Sequence, residues 1–144
     1  METTAQTSVQ QTPFLQQIYI ATHHWLNDMS FFDDEIRFLN SLLEKYFLFL
    51  LSDEHVNRIQ MLSDQLKKTS IVKKIIKDDL LKHQTHLDGT LKNSIENRED
   101  FLTLEHARIE EELTELTKSF KDIKHEIFKI TEEVMKSDKL NTLK

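Results

Sequence analysis

Apolar residues recur along this chain at alternating intervals of three and four, the spacing of helices that each bury one stripe. The clearest run is the last, at Leu102, Ile109, Leu113, Leu116, Phe120, Ile123, Ile127, Ile130 and Val134. From Ile109 onward it is a coiled-coil seam, with no glycine or proline inside it and with Glu, Lys and Leu on its other faces. An earlier seam reads Leu15, Ile18, Thr22, Trp25, Met29, Phe32, Ile36, Leu39, Leu43, Tyr46 and Leu50. Phe38, Leu42, Phe47 and Phe49 widen it, so its second half should touch two neighbours. Between these two runs lies a third, at Ile59, Leu62, Leu66, Thr69, Lys73, Ile76, Leu80, His83 and Leu87.

Breakers set the expected boundaries. Pro13 suits a first helical turn with Thr12 as its cap, which starts a helix over 13–51. Ser52, Asp53 and Glu54 then form a very short turn into a second helix over 53–87, forced by that turn to run antiparallel to the first. Asp88-Gly89 reads as a left-handed stop, with a third helix over 90–137. The fold class is therefore all-α, an elongated antiparallel three-helix bundle or coiled coil over 13–138, flanked by tails at 1–12 and 139–144. Ser30 followed by Asp33 and Asp34 resembles a helix N-cap with acids in its first turn, so a break near Asp28 would add a fourth short helix.

At about 1.5 Å per residue, the first two helices match in length and the third overhangs them. Past Lys124 it would have no neighbour of its own chain, yet Ile123, Ile127, Phe128, Ile130 and Val134 continue the apolar pattern. An unpartnered stripe of that kind is the expected interface for a protein partner or a second copy of the chain.

Composition narrows the function classes. One glycine and one proline leave no material for the turns of a sheet protein, and the absence of cysteine excludes disulfides and thiolate metal sites. The net charge of −6 argues against a general nucleic-acid binder. Lys67, Lys68, Lys73, Lys74 and Lys77 are the one dense basic stretch, without interleaved aromatics, and pairing with Glu110, Glu111 and Glu112 is the expected use. A nucleic-acid adaptor through these lysines remains a competing class. The longest apolar run, Tyr46 to Leu51, is far short of the roughly 20 residues that span a membrane, and no secretory signal opens the chain, so a cytoplasmic protein is expected.

No Gly-rich phosphate loop, nucleophile elbow or HExxH run occurs, and an enzyme is not expected. The seven histidines are the one place for metal chemistry, but Glu-x-x-His is absent and Asp122-x-x-His125 occurs once without a matching segment. His83 and His86 can share a helix face; solvated surface histidines are otherwise the expectation. His106 interrupts the third seam, and with a turn at Gly89 it falls level with Thr69, Lys73 and Glu35. A polar layer that fixes register is the expected role, with Glu35 and His106 as the candidate ligands of the competing class, a metal-binding bundle. No cofactor is expected.

Trp25, Met29, Phe31, Phe32, Asp34, Glu35 and Ile36 follow a Trp-x3-[Leu/Met]-x-Phe-aromatic-x-Asp-Glu-Ile spacing. It resembles a segment of a group of uncharacterised bacterial helical-bundle proteins. The resemblance implies a related helical fold and carries over no site residue. The expected function is thus that of a non-enzymatic structural or protein-interaction module.

Overall fold

The computed structural model describes residues 13–47, 55–92 and 99–142. Among these described residues three helices make up a bundle: α1 (Pro13–Phe47), α2 (Val56–Lys92) and α3 (Glu99–Thr142). Pro13 opens α1 as its first helical residue, and Glu99 and Asp100 place negative charge at the N-terminal end of the α3 dipole. No helix among the described residues is long and apolar enough to cross a membrane.

The contacts fall into two units, each with a segment of all three helices. The first holds the described residues of Met1–Ser30 and Lys74–Thr114, and in it Leu15, Ile18, Leu87 and Leu102 pack as one buried cluster. The second holds those of Phe31–Lys73 and Glu115–Lys144. Its core joins Ile36, Leu39 and Leu43 of α1, Ile59, Leu62 and Leu66 of α2, and Phe120, Ile127, Ile130 and Val134 of α3. Every described seam position is buried or half-buried, because the three-four spacing returns each side chain to the same face. Buried threonines meet their hydrogen-bonding needs locally: Thr22, Thr69, Thr90 and Thr131 each donate to the carbonyl four residues earlier.

Four expectations are corrected. α1 is unbroken through Asp28, since Met29 is fully buried on its seam and the acids taken for a cap are used otherwise: Asp33 pairs with Lys73 and Asp34 with Arg37. The stop at Gly89 is absent as well. Gly89 is helical, has no positive φ, and α2 runs on to Lys92 with Leu87 and Thr90 buried on either side of it. Burial of that face outweighs the cost of about 1 kcal/mol that a glycine imposes inside a helix. Third, α3 continues to Thr142, past the expected end at 137.

The fourth correction is the overhang. Because α2 runs on to Lys92 and α3 begins at Glu99, the connection falls within 93–98, which lie outside the described residues, and His83 meets His106 while Leu87 packs with Leu102. Moving a turn by one residue lengthens one helix and shortens the next, so a six-residue displacement slides α3 along α2 by about 18 Å at 1.5 Å per residue. Ile127, Ile130 and Val134 are thereby buried against α1 and α2 of their own chain, with Ile123 half-buried beside them. Only Phe128, at 44% exposure, keeps the outward position expected of the whole group. The expected turn at Ser52–Glu54 and the tail at 1–12 lie outside the described residues.

A Cβ added at Gly89 would meet nothing within 4 Å. Gly89→Ala should therefore stabilise the protein by about 0.5–1 kcal/mol, read as a higher thermal midpoint. A lower midpoint would restore a left-handed cap at this position.

Candidate functional site

Polar side chains converge in the first unit, where α2 and α3 run antiparallel. His83 occupies a seam position between Leu80 and Leu87, so the helix carries an imidazole where it would ordinarily carry an aliphatic chain, and the ring is completely buried. His106 sits at the matching seam position of α3, between Leu102 and Ile109. Antiparallel packing brings the two seam histidines face to face, His83 Nε2 lying 3.1 Å from His106 Nδ1.

The other nitrogen of His83, Nδ1, lies 2.6 Å from Glu105 Oε1. His86, one turn further along α2, places its own Nδ1 3.0 Å from Glu105 Oε2. Phe101 packs edge-on against the His86 ring. α1 closes the arrangement with Trp25, stacked on His106 with ring centroids 4.4 Å apart and planes 21° from parallel. Asp79 and Glu112 bracket the Arg108 guanidinium at the network's outer edge.

Hydrogen-bond chemistry assigns the protons. An ionised carboxylate only accepts, so the Nδ1 atoms of His83 and His86 both donate to Glu105. When His83 is neutral its Nε2 must then accept, and His106 donates from Nδ1. Burial pushes the Glu105 carboxyl up, but the hydrogen bonds from His83 and His86 outweigh it and hold the group below the usual carboxylate range. Burial, followed by the nearby His83, holds His106 below the usual imidazole range, with a partial offset from Glu110. The arrangement keeps a carboxylate ionised inside a packed bundle and sets the two facing rings within hydrogen-bond distance of each other.

A polar layer containing His106 therefore exists, with members other than those expected. Thr69 donates to the Gln65 carbonyl, Lys73 pairs with Asp33, and Glu35 is held 2.9 Å from Lys124. The candidate ligands Glu35 and His106 are thus each committed to a different partner. Among the described residues, no group of three or more His, Asp or Glu is arranged to hold a metal ion. His83 is buried, as its seam position implies, and His86, expected on a solvated surface, is half-buried. One signal in the sequence could have found the network: His83 and His106 are the histidines that interrupt apolar seams, and setting them opposite one another also aligns Leu87 with Leu102.

The second unit carries further cross-helix charge pairs. Arg58 of α2 reaches Glu126 at 2.7 Å and Glu133 at 3.7 Å, both on α3. The Glu35–Lys124 pair marks where α1 and α3 adjoin on the other side, and Phe32 meets Phe120 edge-on beneath it. On the α1 side of that pair, Phe31 and Phe38 lie within a turn of Glu35 and are 66% and 57% exposed. On the α3 side, Phe128 and Met135 continue the line of Lys124 at 44% and 54% exposure. No protein-family model matches the chain, and no curated protein or solved structure matches it.

Proposed function

We propose that the chain is a non-enzymatic protein-interaction module that associates with a second copy of itself through the α1–α3 face of the second unit. The observation that carries this reading is the exposure of Phe31, Phe38, Phe128 and Met135 around the Glu35–Lys124 pair. On each helix the two apolar residues are seven apart, about 10.5 Å along the axis, so they stand on one face two turns from each other. Large apolar side chains grouped in this way are usual at interfaces and unusual on the free surface of a small protein. The pair at their centre is electrically neutral as a unit. The same face presented by a second copy therefore meets it without net repulsion, and the i, i+7 spacing is self-complementary about a two-fold axis. The association surface is thus the outer face of the third helix's C-terminal half, joined to α1, in place of its buried seam.

The polar chemistry supports a non-catalytic role. His83 has both ring nitrogens engaged, and Glu105 accepts from two histidines, so neither is poised toward a reactant. The expected result is a dimer by light scattering that Phe38→Glu with Phe128→Glu converts to monomer while the helical circular dichroism stays unchanged. A wild-type chain that is monomeric at millimolar concentration overturns the reading.

A further inference from the structure

We propose that the Glu105–His83–His106 network is a proton-responsive device, which accommodates one proton shared between the two rings and loosens the first unit when a second arrives. The geometry supplies the path. His106 Nδ1 donates to His83 Nε2 in the neutral state, leaving His106 Nε2 as the basic atom. A proton taken up at His106 Nε2 lets the Nδ1 proton pass across the 3.1 Å contact to His83 Nε2. The bond between the rings is kept with its direction reversed: His83 now donates and His106 accepts through Nδ1. The positive charge has moved to the completely buried ring, where the Glu105 carboxylate lies 2.6 Å away to balance it. No covalent bond to carbon forms or breaks, and one proton enters for one proton held.

A second proton has no such place. With both rings cationic, Nδ1–H of His106 and Nε2–H of His83 point at each other, the hydrogen bond is lost, and two like charges face one another inside the bundle. The surrounding groups do not cancel this. From α3 the network is faced by Glu105, Glu110 and Arg108, and from α2 by His86 and by Asp79, the last already paired with Arg108. α1 brings the Trp25 ring, with Asp28 one helical turn further on.

The direction of the pH effect follows from the His106 imidazole being held below its usual range. As pH falls through about 6.5, the ordinary imidazole value, the unfolded chain binds this second proton, the one that leaves both rings cationic, before the folded one does. The stabilisation is thus complete above that pH and is lost progressively below it, at up to about tenfold in the unfolding constant per pH unit for one proton. Glu105, also held low, adds loss in the same direction only below about pH 4.3, where an ordinary carboxyl titrates. The two windows are separate.

The test compares the full chain with His106→Gln by urea unfolding from pH 8 to pH 5, followed by the fluorescence of Trp25, the one tryptophan in the sequence. The ratio of the two unfolding constants should be flat above about pH 6.5 and change by up to tenfold per pH unit below it, because the other six histidines are common to both proteins. A ratio that stays constant across the whole range overturns the proposal. Should the variant fail to fold, nitrogen-15 imidazole spectra of the wild-type chain decide: the first proton should move His106 from its Nδ1–H to its Nε2–H form, and a His106 that titrates without any response at His83 overturns the device.

Discussion

A single aspartate in place of Ile130 should unfold the second unit. Ile130 is fully buried in the cluster with Leu39, Leu43 and Leu66, so a carboxylate there has neither water nor a donor. Losing the apolar side chain alone forgoes about 1.5–3 kcal/mol of burial, and an unpaired buried charge adds more, for a total above about 4 kcal/mol. That is a large share of the 5–15 kcal/mol that typically separates folded from unfolded states. Far-UV circular dichroism and urea titration of Ile130→Asp should accordingly show a large loss of helix and an early midpoint. Phe128→Asp, two residues away on the same helix but exposed, should change the stability of the monomer by no more than about 0.5 kcal/mol at concentrations too low for self-association. An Ile130→Asp protein as stable as wild type, with only its oligomeric state altered, would return this stripe to the surface.

Asp33→Ala should cost about 3 kcal/mol, the second-largest effect expected of a single substitution. Lys73 occupies a seam position of α2 and its side chain is only 9% exposed, with the Asp33 carboxylate of α1 as its partner. Removing the acid strands a buried ammonium, which is the damaging half of breaking such a pair. Asp33 is about one-third exposed, so Lys73→Met leaves a carboxylate that water can still reach and should cost less. The double variant should recover most of the loss, since a methionine packs where the lysine stem did. Urea unfolding of the four proteins measures the coupling directly; simple additivity of the two single losses would show that Lys73 is solvated despite its position.

Much of this fold was legible along the chain because helix faces are a local property. The three-four spacing specifies which residues turn inward without reference to any neighbour, and so the seam from Leu15 to Tyr46, that from Ile59, and the third from Leu102 to Phe120 are interior as expected. Even the positions of Lys73, His83 and His106 on those seams followed from spacing alone. Local signals misled where packing competes with them. Gly89 and the Ser30–Asp34 segment each carry a preference worth about 1 kcal/mol for ending or starting a helix. Burying Leu87 and Thr90 on either side of one break and Met29 within the other opposes that preference. Register is the property no single helix contains: it depends on where the connection falls, and each residue of error there counts twice along the partner. Tertiary structure alone therefore decided that Ile127 and Ile130 meet Leu39 and Leu66 instead of solvent. It also decided that His106 faces His83 and Trp25 instead of Lys73 and Glu35.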